Sequence, residues 1–457
     1  MMVSIERRFS VAPPEARLAS AIAEIAALTP ERMAIVVNAG HSTQRQVTYG
    51  DLGAALEAFE AEIGAIRPPG IVARAGHVEN LVVMAAACGR QGVPVAFLAE
   101  DSRDLVGQLY DWPEVNDDLG VTAPAQGKSR GGHDQVPHVV VATSGTSGPP
   151  KLVQHSWSSA LAAARLAEQW HGLAWLMVYD ATRWAGLQVW LQSLLTGGRL
   201  VIPASRDPDA VAKALVSESV AVLPATPTLL RRLLVSADPE LLGRCSLERI
   251  TLGGEAADAR LLARAAEVFP NAKITQVYAT TELGEVFRVA DGMSGFPADW
   301  MGKSLPGGVH LSTRRDGELL VQLSRDTAEV GTGDLVERRG DRFEFTGRRS
   351  DVIVVGGAKV LPKRVEDVLR GVEGVADARV YGLPSGITGE LVAAEVVLSE
   401  TPPVGITPDG VRAAALTACR TALEPHAVPR IVDIVKRIAT TSAGKVPRRP
   451  AATMEGA

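Results

Sequence analysis

The chain has 457 residues, 46% of them apolar and only 22% charged, which excludes disorder and leaves room for a large core divided into more than one domain. A formal net charge of −5 excludes the basic footprint of a general nucleic-acid binder. Three scattered cysteines, Cys88, Cys245 and Cys419, in no Cys-x-x-Cys pair, exclude a disulfide framework and a cysteine zinc site, so a metabolite-handling protein of a reducing cytosol is expected.

The opening "MMVSIERRFSVAPPEARLAS" carries charges and prolines where a signal peptide needs an apolar core. No later window reaches the ~18–20 consecutive apolar residues of a membrane span. The expectation is a soluble, cytoplasmic chain with neither membrane nor nucleic acid as partner. The eight histidines have no ligand-like spacing and read as surface or satisfied core residues.

From residue 71, short β-branched runs alternate with alanine- and leucine-rich stretches. "IVARA" (71–75), "NLVVMAAACGR" (80–90) and "VPVAFL" (93–98) predict strand, helix, strand. The rhythm returns in "RLVI" (199–202), "PDAVAKALVSES" (208–219), "VAVL" (220–223), "PTLLRRLLV" (227–235), "RITL" (249–252), "ADARLLARAAEVF" (257–269) and "KITQV" (273–277). Near-continuous apolar strands between helices imply parallel sheets covered on both faces. After about residue 290, "GGVHLSTRRDGELLVQLS" (307–324) and "DLVERRGDRFEFTGRRSDVIVV" (334–355) predict short antiparallel strands joined by Asp-Gly and Gly-Asp turns. A further segment follows, with helices at 362–372 and 409–423 and strands near 378–382 and 391–398. The predicted fold is α/β: a large N-terminal domain (1–349) of βαβ-type sheets covered by helices plus a small antiparallel β region, then a small α+β C-terminal domain (350–457), divided at "GRRSD".

Between the two series of βαβ elements lies "VVVATSGTSGPPKLVQHS" (139–156). It reads as an apolar strand, a turn and a helix-forming stretch from about Ser158. Gly145 and Gly148 open backbone conformations that other residues resist, Thr143, Ser144, Thr146 and Ser147 supply hydroxyl donors, and Lys151 supplies a charge. A phosphate clamp is the functional reading and a flexible linker the plainer alternative, though linkers seldom join an apolar strand directly to a helix. A Walker-type P-loop requires Gly-Lys-Ser/Thr, and here Lys151 follows Pro150 and precedes Leu152.

"TSGTSGPPK" resembles the phosphate loop of the adenylate-forming superfamily, which holds acyl- and aryl-CoA synthetases, nonribosomal peptide adenylation domains and luciferases. Its other motifs follow in order: "VTYGDLGAAL" (47–56), "VPVAFLAED" (93–101), "LGGEAAD" (252–258), "QVYATTELGE" (276–285), "GTGDLVER" (331–338), "GRRSDVIVVGGAKVLPKRVEDVL" (347–369) and "VPRIVDIVKRIATTSAGKVPR" (428–448). The resemblance spans about residues 45–450.

That resemblance implies a role for each matching position. Thr143, Ser144, Gly145, Thr146, Ser147 and Gly148 would wrap the β- and γ-phosphates of ATP, with Lys151 nearby. Gly253, Gly254 and Glu255 would form the adenine-pocket segment, with Gly253 also facing the acid. Tyr278 would stack on adenine, followed by Ala279 and Thr280, while Thr281 would contact the α-phosphate. Glu282 would hold Mg2+, with Thr143 as a weaker second oxygen. Asp334 would accept the ribose hydroxyls, with Arg348 as a second contact. Lys445 would bridge the acid carboxylate and the α-phosphate. Ser350 falls at the hinge about which the C-terminal domain would turn, and Gly357 beside the pantetheine path. The implied reaction joins an acid to AMP with loss of pyrophosphate, then passes the acyl group to coenzyme A or to the phosphopantetheine of a carrier protein.

Some positions depart from the pattern. Ala279 replaces a glycine, Trp157 a histidine, and Ala439 a proline. The acid is the least determined feature. "VYDATRWAGLQVW" (178–190) aligns either with Asp180 as an amine anchor and Trp184 as a pocket wall, or with Asp180 capping a turn or contacting a hydroxyl in an aryl- or acyl-CoA ligase-like stretch that has lost its histidine. A small aryl or amino-bearing acid is expected. An amide synthetase with an amine acceptor, a stand-alone amino-acid adenylation enzyme, a catalytically inactive ligand-binding relative and a homodimer all stay open.

Overall fold

The computed structural model describes residues 12–74, 76–99, 102, 105, 112–115, 119, 121, 138–143, 150–399 and 407–439. These fall into two compact units. The first takes the described residues of Met1–Ala225, Ala237–Gly254 and Ala266–Arg288, and the second those of Thr226–Ser236, Glu255–Ala265 and Val289–Ala457.

The strands of the first unit are β1 (Met33–Ala39), β2 (Arg45–Thr48), β3 (Ile71–Arg74), β4 (Val95–Leu98), β5 (Glu114–Val115), β6 (His138–Ala142), β7 (Leu152–Ser156), β8 (Ala174–Leu176), β9 (Arg199–Pro203), β10 (Val222–Ala225), β11 (Arg249–Gly253), β12 (Lys273–Thr280) and β13 (Gly284–Val289). They build an eight-stranded sheet in the order β13-β12-β11-β10-β8-β9-β1-β2 and a five-stranded sheet in the order β5-β3-β4-β6-β7. From β12 across to β1 every described pairing is parallel, as are β5-β3-β4-β6, while β2 and β7 run antiparallel at their edges. Parallel strands need helical crossovers, and the helices Val78–Gln91, Pro208–Ser217 and Ala259–Val268 stand where the sequence pattern predicts them.

One apolar core joins both sheets with the helices Arg17–Leu28, Tyr49–Ile66, Val78–Gln91 and Trp184–Leu195. Trp157, Trp190, Tyr49, Phe59 and Phe97 are its largest fully buried side chains. Burying each such side chain contributes on the order of 1.5–3 kcal/mol, an upper figure because unfolded chains are already partly collapsed. The Tyr49–Ile66 helix starts at a capping box: Asp51 N–H donates to Thr48 Oγ1, and Thr48 N–H donates to Asp51 Oδ2 at 2.8 Å. Tyr49 then buries its ring and donates its hydroxyl to the Gly198 carbonyl at 2.9 Å.

The second unit holds β14 (Phe296–Pro297), β15 (His310–Thr313), β16 (Glu318–Gln322), β17 (Val330–Arg339), β18 (Arg342–Arg348), β19 (Ile353–Val355), β20 (Ala358–Val360), β21 (Val375–Ser385), β22 (Gly389–Leu398) and β23 (Ile431–Val435). β14-β18-β17-β16-β15 form an antiparallel sheet whose turns lie at the Asp-Gly and Gly-Asp pairs expected from sequence. β20-β19-β22-β21, with β23 beside β22, form a sheet that shares a core with the helices Pro362–Arg370 and Pro408–Ala422. The α/β class and the antiparallel-then-α+β order are therefore as the sequence predicts.

A partly buried ion cluster ties the second unit together. Arg231 pairs with Asp258 at 2.5 Å and Asp377 at 3.5 Å, and Arg370 pairs with Asp377 at 3.0 Å. Burial alone would raise the Asp258 carboxyl. The Arg231 and Arg370 charges and the Leu261 N–H outweigh burial and hold it down at about 2.

Candidate active site

The Ser/Thr/Gly segment is closed at its base by a β-hairpin. β6 and β7 pair from His138↔Ser156 to Ala142↔Leu152, and beyond them Thr143 N–H donates to the Lys151 carbonyl at 2.8 Å. Lys151 N–H donates to Thr143 Oγ1 at 2.9 Å. This adds an unexpected strand between the expected strand and turn and the helix from about Ser158. Leu152–Ser156 adds a strand to the free edge of β6, where its backbone groups find partners, and the helix Trp157–Ala162 follows with Ser156 Oγ as its cap. Ser144, Gly145, Thr146, Ser147 and Gly148 lie outside the described residues.

Two residues that sequence reasoning did not single out hold this base in place. Arg183 is buried, and its Nη1 donates to the Ala142 carbonyl at 3.0 Å and the Thr143 carbonyl at 2.6 Å. His155 on β7 is also buried; its Nε2 lies 2.7 Å from the Thr281 carbonyl, and its ring stacks on Trp184 with centroids 4.0 Å apart. Burial pushes the His155 imidazole down, against the opposing pull of the Thr281 carbonyl and the Glu282 charge. Thr143, Arg183, Trp184, His155 and the turn after β12 thus form one connected structure.

That turn and the end of β12 carry five of the expected contacts, Tyr278, Ala279, Thr280, Thr281 and Glu282. The register Gly253↔Val277 sets Gly254 beside Tyr278 where β11 ends, while β12 runs on to Thr280. Tyr278 stacks on Phe287 of β13, with centroids 5.0 Å apart and planes at 22°. Ala279 and Thr280 end the strand, and Thr280 Oγ1 accepts the Leu283 N–H at 3.0 Å. Thr281 is partly exposed, and Glu282 is exposed at the tip. Trp184 is buried behind His155, and a Cβ on Gly284 would sit 3.4 Å from its ring.

Asp180 follows β8. Its Oδ1 accepts the Thr182 N–H at 2.9 Å and the Thr182 hydroxyl at 2.6 Å, an Asx-type turn. Arg206 is close enough to feel its charge: burial lowers the Arg206 guanidinium and Asp180 raises it. A side chain on Gly186 would collide with the Asp180 carbonyl, at 2.0 Å.

In the second unit, Asp334 and Arg348 are directly opposite each other on β17 and β18. Arg348 Nε donates to Asp334 Oδ1 at 2.8 Å, and Asp334 is only 7% exposed. Glu255 caps the helix Pro227–Ser236, its Oε2 accepting from Thr228 N–H at 3.1 Å and the Thr228 hydroxyl at 2.6 Å. Ser350 is exposed in a single turn, Arg349–Asp351, and donates to Asp351 Oδ1 at 2.9 Å. Gly356 and Gly357 form the two-residue loop between β19 and β20 with φ of 57° and 86°, which a side chain resists. A Cβ on Gly357 would meet no heavy atom within 4 Å. Lys445 lies outside the described residues.

Residues 82–312 match the family model described as AMP-binding enzyme, and residues 364–445 match the AMP-binding enzyme C-terminal domain. The chain belongs to the AMP-binding enzyme family. It is 27% identical over 385 residues to the medium/long-chain-fatty-acid–[acyl-carrier-protein] ligase FadD10 of Mycobacterium tuberculosis, covering 73% of this chain and 69% of that one. It is 26% identical over 346 residues to a 2-succinylbenzoate–CoA ligase of Bacillus cereus, covering 68% of each. The fold is similar to that of o-succinylbenzoate CoA synthetase from Bacillus subtilis, with a TM-score of 0.63 at 21% identity, over 94% of this chain and 96% of that one.

As an AMP-binding enzyme the chain is an adenylate-forming, acid-activating ligase. The family uses ATP with Mg2+, and coenzyme A or a carrier protein as acyl acceptor. The described residues suit such substrates. Tyr278 offers an aromatic face stiffened by Phe287, and Asp334 is a carboxylate held in place by a guanidinium. Glu282 is an exposed hard oxygen donor of the kind magnesium takes one or two of beside phosphate oxygens. Among the described residues no group of three or more His, Cys, Asp or Glu could enclose a metal, and no helix is long and apolar enough to cross a membrane.

Proposed function

We propose that this AMP-binding enzyme activates a small aryl carboxylic acid with ATP and passes the acyl group to a thiol, of coenzyme A or a carrier protein. The supporting observation is the connection through Arg183, Trp184 and His155, which fixes the base of the hydroxyl-rich loop against the turn carrying Tyr278, Thr281 and Glu282. On this reading Thr143–Gly148 and Lys151 grip the polyphosphate, Tyr278 with Gly253–Glu255 and Ala279–Thr280 seats the adenine, Thr281 meets the α-phosphate, and Asp334 and Arg348 bind the ribose. Mg2+, held by Glu282 with Thr143 as second oxygen, would supply positive charge to the polyphosphate. Lys445 places its ammonium between the acid carboxylate and the α-phosphate as the new bond forms. Little covalent chemistry falls to the protein, so positioning and preorganised charge carry the rate. The division at 349/350, with Ser350 as hinge, lets 350–457 deliver Lys445 for the first step and the Gly357 loop for the second.

The aryl reading over the amino-bearing one rests on Asp180. One of its oxygens is occupied by Thr182, and Arg206 already supplies a cation nearby, so an α-ammonium has little to gain there. The test is pyrophosphate release over a panel of aryl, aliphatic and amino acids without acceptor, repeated with coenzyme A, a pantetheinylated carrier protein and free amines. Asp180→Ala should keep the acid preference of the parent enzyme. A selective loss of amino acids as substrates by that variant would restore the amine-anchor reading, and turnover only with amines would make the chain an amide synthetase.

A further inference from the structure

Glu318 on β16 is 5% exposed, and a carboxylate in that setting needs partners for both oxygens. They come from three places in the chain. Oε1 accepts the Gly333 N–H at 3.0 Å, and Gly333, with φ of 74°, is the residue immediately before Asp334. Oε2 accepts from Arg314 Nη1 at 2.5 Å and from Arg349 Nη2 at 2.8 Å, and Arg349 immediately follows Arg348. Arg349 also bonds Asp316. A Cβ on Gly331 would lie 2.7 Å from Glu318 Oε1, so β17 comes this close only because that residue has no side chain. The same turn is tied to β16 a second time, through Thr332 Oγ1, which donates to the Leu319 carbonyl at 2.8 Å and accepts the Asp334 N–H at 3.2 Å.

We propose that Glu318 is the positioning residue of the Asp334–Arg348 pair, one buried anion that holds the backbone N–H of the residue before the first and the guanidinium of the residue after the second. The proposal rests on reading that pair as the ribose site. Glu318 touches no substrate in this account. Its charge holds two guanidinium groups together and anchors the left-handed turn, and so sets where the Asp334 carboxylate stands. Glutamine in its place keeps one acceptor oxygen for the Gly333 N–H but turns an amide NH2 toward Arg314 and Arg349. Arg349 then loses this partner, the end of β18 beside Arg348 is released, and Asp334 loses its alignment with the ribose hydroxyls.

The experiment compares kcat/KM for ATP and for 2′-deoxy-ATP in pyrophosphate release by the full-length enzyme and its Asp334→Ala, Glu318→Gln and Arg349→Gln variants. The parent enzyme should prefer ATP, and Asp334→Ala should abolish the preference. Glu318→Gln should cut it about five- to tenfold and Arg349→Gln about two- to threefold, through KM for nucleotide with KM for the acid unchanged. If Asp334→Ala keeps the preference, the ribose reading fails and this proposal with it. If Asp334→Ala abolishes it while Glu318→Gln keeps it in full, the positioning role is overturned and the ribose site stands. Should Glu318→Gln not fold, Arg349→Gln decides between the same two outcomes. A Glu318 that serves stability alone would lower the melting temperature and leave the preference and both KM values intact, which also overturns the proposal.

Discussion

His155 joins the β7 strand of the loop hairpin to the Thr281 carbonyl, 126 residues away, and stacks on Trp184. Its imidazole is depressed by burial below the ordinary 6.5, so as pH falls the unfolded chain takes up that proton before the folded one. The contribution is therefore present above about pH 6.5 and is lost on acidification toward the lower folded value. The melting temperature of the parent enzyme should fall between about pH 7 and about pH 5, with a shallower slope in His155→Gln. An identical slope in the two proteins would remove His155 from the acid response. The sequence hid this role for a physical reason. A single histidine with no ligand-like neighbours reads as a satisfied core residue, and so it is, but its partner is visible only once β7 and β12 have folded. Arg183 was hidden likewise, because an arginine in a mostly apolar run gives no local sign that its donors serve two carbonyls on β6 and just beyond it.

At the scale of elements, periodicity and turn residues were legible wherever pairing is local. The Asp-Gly and Gly-Asp turns announced β15–β18, and the apolar runs announced the parallel strands. β7 was missed because "LVQHS" is five residues long and is a strand only by virtue of the free edge of β6. Asp334 and Arg348 were singled out by a resemblance, whereas their pairing and its support by Glu318 depend on a bulge and a register that no local pattern encodes. The β19–β20 loop is where the proposed thiol path runs. Both its glycines have positive φ and Gly357 faces open space, so Gly357→Leu costs on the order of 1 kcal/mol in backbone strain and fills the proposed thiol path. Acyl transfer to the thiol should then fall at least about tenfold more than pyrophosphate release, since only the second half-reaction needs that space. Equal losses in both half-reactions would count against a pantetheine path at this loop.

For the whole molecule, the order of motifs made the family and the fold class readable, because each motif is a short contiguous stretch with its own backbone demands. The long-range ion pairs of the second unit were not readable. Arg231 and Arg260 precede residue 350, yet Arg231 pairs with Asp377 and Arg260 Nη1 donates to the Arg370 carbonyl at 2.8 Å. On the proposed division, a swing of 350–457 about Ser350 would part those bonds, and each orientation would need its own partners for a partly buried cation. The account turns on Lys445, whose ammonium has to reach the reacting acid and α-phosphate in the first step only. The most direct measurement is pyrophosphate release, without any acceptor, by Lys445→Ala beside the parent enzyme at saturating ATP and acid. The account predicts a fall on the order of 10²–10³-fold or more, with acyl transfer from chemically supplied acyl-adenylate retained. Release near the parent rate would contradict it.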